Sequence, residues 1–137
     1  MDFIICIDIK GGFAKDDKIP WNNKDDMKHF VAKTKDKTML CGRNTFNSLP
    51  LNVQKRAKIV LRNDNIEQYC NRDDIIGIGG KKFMLANKSR IRRLWLTVLD
   101  DDYHCNYKFK EIFNIIDNVK YVSMRTIKGG IIYEYVL

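Results

Sequence analysis

Asp26 is a carboxylate set among apolar neighbours. In the stretch Ile19-Pro20-Trp21-Asn22-Asn23-Lys24-Asp25-Asp26-Met27-Lys28-His29-Phe30, proline lacks an N–H and pushes the residue before it out of helical space. The segment therefore opens extended and turns helical near Asn22 or Asn23. From there Asp26, Met27, Phe30, Val31 and Thr34 recur at the three- and four-residue spacing that puts side chains on one helical face. A lone charge on such a face costs roughly several kcal/mol in desolvation. Two accounts fit the position. An acid near a helix start favours the positive end of the helix, which Asp25 serves as well as Asp26; alternatively Asp26 is a pocket acid whose pKa is raised by burial and which handles protons or orients a substrate.

Two further stretches carry donors. Gly42-Arg43-Asn44-Thr45 follows the apolar run Lys37-Thr38-Met39-Leu40-Cys41, and Gly79-Gly80-Lys81-Lys82 follows Asp73-Asp74-Ile75-Ile76-Gly77-Ile78. In each, a strand delivers glycine and cations to a helix start, the arrangement of a phosphate cradle and also that of a plain capped junction. Two such junctions at the carboxyl edge of one sheet could share a phosphate-bearing ligand. The Gly79-Gly80 pair is not a G-x-G-x-x-G fingerprint. Asp100-Asp101-Asp102 lacks the alternating spacing of a calcium loop and reads as a solvated loop. No metal site is expected.

The elements that position these residues follow from periodicity. Residues 2–9 (DFIICIDI) form a short β-branched run suited to a strand buried on both faces. Lys10 to Lys18 is a glycine-rich, charged stretch, expected as a mobile loop able to cover a site. The Asp26 helix leads to the strand ending at Cys41, and strand, helix, strand implies a right-handed parallel crossover. Lys58-Ile59-Val60-Leu61, Asp73 to Ile78 and Arg93 to Leu99 add strands, with a short helix at Phe83-Met84-Leu85. Val119 to Ile127 and Ile131 to Val136 flank Lys128-Gly129-Gly130, a hairpin signature. The expected fold is α/β: a mostly parallel central sheet, helices on both faces, and a C-terminal antiparallel hairpin. Residues 1–137 read as one domain, since 137 residues can bury a sizeable core without staples.

Bulk properties exclude several classes. Cys6, Cys41, Cys70 and Cys105 are widely spaced without a Cys-x-x-Cys pair, which argues against a zinc site or disulfide scaffold and for reduced thiols in a cytoplasmic protein. No apolar run approaches membrane-spanning length, and the N-terminus has no basic targeting flank. The net charge of +8 favours anionic ligands. The one compact basic cluster, Arg90-Ile91-Arg92-Arg93, lacks interleaved aromatics, so nucleic acid is not expected as a partner.

In this order the pieces resemble a dihydrofolate reductase, collinearly from Phe3 to Val136. The motifs that carry the resemblance are Pro20-Trp21 with Asp26 and Phe30, Gly42-Arg43-Asn44-Thr45, Arg56 ahead of a strand, Ile78-Gly79-Gly80, and Leu94-Trp95-Leu96-Thr97. The resemblance implies an NADPH-dependent reductase of 7,8-dihydrofolate, a cytoplasmic monomer bound by antifolates such as methotrexate or trimethoprim. It implies a catalytic set of Asp26, Trp21 and Thr97, with Thr97 bonded to the far side of the Asp26 carboxyl. Ile4, Ile5, Cys6, Met27, Phe30 and Leu49 would line the folate pocket, and Arg56 would fork onto the glutamate carboxylate. Ala14, Gly42, Arg43, Asn44, Thr45, Leu61, Arg62, Ile78, Gly79, Gly80, Lys81 and Lys82 would bind NADPH. The chain departs from the family pattern at Cys6 (an alanine), Ala14 and Lys81 (glycines) and Met84 (a tyrosine), and its connections after Leu61 and Asp102 are trimmed. A reductase of another heterocycle, such as an aminopyrimidine in riboflavin synthesis, and a non-catalytic binding or structural protein of the same fold are the alternatives.

Overall fold

The computed structural model describes residues 1–56, 58–61, 69 and 72–137, without the side chains of 56 and 58–61. Its main sheet is built from β1 (Asp2–Ile7), β3 (Thr38–Cys41), β4 (Lys58–Leu61), β5 (Ile75–Gly79), β6 (Arg93–Leu99), β8 (Tyr121–Ile127) and β9 (Gly130–Val136), in the order β4-β3-β5-β1-β6-β9-β8. The first five of these neighbours pair parallel; β9 joins β6 antiparallel, and β8 joins β9 antiparallel through the Lys128-Gly129 turn. The mostly parallel sheet with an antiparallel C-terminal pair is the architecture expected from the sequence.

Alternation along the strands divides the core into two layers. Phe3, Ile5 and Ile7 of β1 and Leu40 of β3 pack with Phe83 and Met84 of α4 (Lys81–Ala86) and Ile112 of α5 (Glu111–Ile115). On the opposite face, Ile4, Met39, Cys41, Ile76 and Ile78 pack with Val53 of α3 (Leu51–Arg56), Phe30 of α1 (Lys24–Thr34) and Phe46 of α2 (Arg43–Ser48). The chain thus leaves β1 for a helix on one face and leaves its neighbour β5 for a helix on the other. Such a divergence opens a crevice at the carboxyl ends of the strands.

The helix of Asp26 begins where its sequence says it should. Asn23 is the N-cap, and its Oδ1 accepts from the Asp26 backbone N–H at 2.9 Å. Asp25, one residue earlier, accepts from the Lys128 N–H at 3.1 Å, while Asn23 Nδ2 donates to the Lys128 carbonyl at 2.7 Å. The helix start is therefore fastened to the C-terminal hairpin.

The stretch from Lys10 to Lys18 differs from the loop expected. Gly12–Ala14 forms β2, paired antiparallel with β7 (Tyr107–Lys108), and Phe13 packs on the rings of Tyr107 and Phe109. Lys10 and the tip from Lys15 to Lys18 are exposed, the tip turned by left-handed Asp16 and Asp17. The anchor is Asp8, which is 1% exposed. Its carboxylate accepts from the backbone N–H groups of Gly12 at 2.6 Å, Lys10 at 2.9 Å and Tyr103 at 3.0 Å. Burial pushes the Asp8 pKa up, and these donors, with the Cys105 thiol, more than offset it and hold it below its ordinary value. Gly12 is required here, because a Cβ would come within 2.4 Å of Asp8 Oδ2.

Candidate active site

The crevice at the carboxyl edge is a cavity of about 1050 Å³. Its floor is β1, through Ile4, Ile5 and Cys6, and one wall is α1, through Asp26, Met27 and Phe30. Trp21, half-buried and edge-on to Tyr103 at 5.4 Å between centroids, closes one side, and Leu49 lies beyond Phe30 on the lining. The structure thus brings together all the expected pocket residues whose side chains it describes. Met27 differs from expectation in being 43% exposed rather than buried, since it faces the open cavity and not the sheet.

Asp26 sits over a specific pair. Cys6 of β1 and Thr97 of β6 are register partners, two residues on from Ile4 and Trp95 and hence on the same sheet face. Desolvation raises the Asp26 pKa, against the lowering influence of hydrogen bonding from Thr97 and then Cys6. The Thr97 hydroxyl is buried and makes no hydrogen bond of ordinary length and angle, so it stands beside the carboxyl as an available donor. Burial, and then the Asp26 charge, push the Cys6 thiol well up, which keeps it protonated and able to donate. Asp26 thus lies both in the first turn of α1, as the helix-end account has it, and on the cavity wall with a raised pKa, as the pocket-acid account has it.

At the other end, the two glycine junctions meet. Gly42 caps α2 and Gly80 caps α4, both without a side-chain cap bond, which leaves their first turns open toward the cavity. Gly79 has φ +124°, and a Cβ on Gly80 would come within 3.0 Å of Thr45 Oγ1, so glycine is what lets the two junctions abut. Ala14, Gly42, Arg43, Asn44, Thr45, Ile78, Gly80, Lys81 and Lys82 all line this end. Arg43 and Lys82 are exposed there. The Lys81 ammonium is committed elsewhere, to Glu111 at 3.1 Å and the Lys108 carbonyl at 3.1 Å. Met84 is fully buried in the core and does not reach the cavity.

Arg56 closes α3, two residues before β4, with its side chain outside the description; the side chain of Leu61 and all of Arg62 also lie outside the described residues. Phe13, Ile19, Val53, Asn87 and Tyr107 line the cavity without having been read from the sequence. Phe13 and Val53 are apolar residues next to read motifs, but nothing local marks which cavity they face. Among the described residues no cluster could hold a metal ion, and the three consecutive aspartates are exposed. No helix among them is long and apolar enough to cross a membrane.

Fold and cavity together define an α/β domain with an acid at one end of its crevice and two glycine-capped helix starts at the other. The family model described as dihydrofolate reductase matches residues 1–128, and the chain belongs to the dihydrofolate reductase family. It is 30% identical over 133 residues to the dihydrofolate reductase of Ureaplasma parvum, covering 83% of this chain and 84% of that protein. A solved dihydrofolate reductase from Enterococcus faecalis, complexed with NADP(H) and RAB-propyl, superposes with a TM-score of 0.77 at 20% identity, covering 98% of this chain and 94% of that one. That likeness speaks for the fold. Segregation and condensation protein A of Mycoplasma pneumoniae is 28% identical over 125 residues, which cover 78% of this chain but 25% of that protein.

Proposed function

We propose that the chain catalyses the NADPH-dependent reduction of 7,8-dihydrofolate to 5,6,7,8-tetrahydrofolate, as a monomer in the cytoplasm. The observation that carries this reading is the placement of Asp26, a desolvated acid beside two donors in a cavity large enough for a two-part ligand. Asp26 accepts hydrogen bonds from the amino group and ring nitrogen of the pterin. Thr97 and Cys6 fix its carboxyl from behind, and Ile5, Phe30 and Trp21 exclude water from the ring. NADPH, when bound, would supply the hydride for the imine carbon, and Asp26 helps a proton reach the neighbouring nitrogen.

The residues at the glycine end fit that cofactor. Open first turns at Gly42 and Gly80 offer N–H groups to phosphates, and Arg43 and Lys82 offer cations, with Arg62 assigned to the same role. Arg56 is assigned to the glutamate carboxylate, so Arg56→Leu should raise KM for dihydrofolate strongly and leave a pterin without the glutamate tail unaffected. The direct test is to incubate the protein with NADPH and dihydrofolate and follow loss of reduced-nicotinamide absorbance, with and without methotrexate. Turnover that methotrexate abolishes is expected. No inhibitor-sensitive turnover would leave a binding protein that keeps the fold.

A further inference from the structure

A second cleft, of about 370 Å³, lies on the other flank of α1 and shares no lining residue with the larger cavity. It is formed by His29 and Lys33 of α1, Trp95 of β6, Ser123 and Arg125 of β8, and Ile132 of β9. His29 and Lys33 are four residues apart and so project from one helical stripe toward the antiparallel end of the sheet. The Lys33 ammonium stands 3.9 Å from the centre of the Trp95 ring, and His29 meets the same ring edge-on at 5.7 Å.

The charges here are uncompensated. Among the described residues neither Lys33 nor Arg125 has an ion-pair partner. Glu134 of β9, which meets the cleft-lining Ser123, is already engaged by Arg93 and by the Ser123 hydroxyl, which donates to it at 2.8 Å. His29 is 5% exposed, and its Nε2 is buried without a hydrogen-bond partner. A buried imidazole nitrogen left without a partner against an indole, with two cations that lack ion-pair partners beside it, is an arrangement that a bound ligand would complete.

We propose that this cleft is a second ligand site, for a small organic oxyanion whose carboxylate or phosphate meets Lys33 and Arg125 and whose apolar body lies against Trp95 and Ile132. A volume near the lower end of ligand pockets limits the occupant to a single ring or a short branched chain. Lys33, held on the indole face, keeps its charge at the mouth of the cleft while the ring supplies the apolar wall.

The test reads the two tryptophans separately, because the chain contains two, Trp21 in the large cavity and Trp95 in this cleft. Protein with nitrogen-15-labelled indoles is titrated with benzoate, phenyl phosphate and, as the uncharged control, benzyl alcohol; Trp95→Phe assigns the signals. Saturable movement of the Trp95 signal is expected with one or both anions, and the tighter of the two identifies the headgroup. Lys33→Ala and Arg125→Ala should each weaken that binding at least tenfold, with the indole spectrum of each ligand-free variant still that of a folded protein. A Trp95 signal that stays still, that responds equally to benzyl alcohol, or that keeps full affinity in both variants overturns the proposal. Neither turnover nor cofactor enters the measurement, so its outcome is independent of the reductase reading.

Discussion

Cys6 and Thr97 occupy the same register position on β1 and β6, side by side under the carboxyl of Asp26. The acid therefore has two donors of unequal strength beside it, a hydroxyl and a thiol, on neighbouring parallel strands. Removing the weaker one should be visible. In Cys6→Ala, Asp26 loses a donor to its charged form, and its pKa should rise further. Titration of the Asp26 carboxyl carbon by NMR in the ligand-free protein measures this; an unchanged or lowered pKa would remove Cys6 from the acid's environment.

Asp8 is the second buried carboxylate with a defined task. Asp8→Ala would leave the N–H groups of Gly12, Lys10 and Tyr103 without their acceptor, at about 1–3 kcal/mol for even one unsatisfied buried donor. Denaturant unfolding should register at least that loss. Limited proteolysis should cut between Lys10 and Lys18 faster than in the parent, and equal cleavage rates would mean that β2 and β7 hold the segment without Asp8.

His29 gives a pH signature. Burial, and then the charges of Lys33 and Arg125, lower its pKa from 6.5 to about 4. A base with a depressed folded pKa binds its proton more readily when unfolded, so stability falls as pH drops from 6.5 toward 4. The full span corresponds to about 3 kcal/mol. His29→Leu should flatten the pH dependence of unfolding free energy in that window, and parallel curves for variant and parent would contradict the shift.

Much of this site was legible in the sequence because its signals are local. Asn23 before Lys24 caps a helix, an apolar run of β-branched residues makes β1, and Gly79-Gly80 ahead of two lysines marks a strand passing to a helix. The features that were not legible depend on distant partners. Asp8 falls inside the run read as a strand with no task of its own, and Tyr103, one of its donors, is 95 positions away. The strands β2 and β7 have three and two residues, too few for any alternation to show. His29 reads from the sequence as one more polar residue of an amphipathic helix; its burial comes from Trp95, an aromatic on a strand that only the tertiary fold brings near.

Cofactor preference tests the glycine end. If Arg43 and Lys82 surround the phosphate that distinguishes NADPH from NADH, replacing either with Ala should weaken NADPH by about 1.5–3 kcal/mol, the usual worth of a hydrogen bond to a charged group. NADH binding should change little. Equal losses for the two cofactors, measured by calorimetry, would move these residues away from that phosphate.

The central claim concerns Asp26, and hydride transfer in a single turnover tests it most directly. With NADPH and dihydrofolate preloaded, Asp26→Asn should slow the step at neutral pH by on the order of 10²–10⁴, the range for general acid catalysis. NADPH affinity should stay near the parent's, and lowering the pH should restore part of the rate as solvent protonates the substrate. Asp25→Asn, which touches only the Lys128 N–H at the hairpin turn, should leave the step unchanged. Near-normal hydride transfer in Asp26→Asn, or a greater loss in Asp25→Asn, would contradict the account.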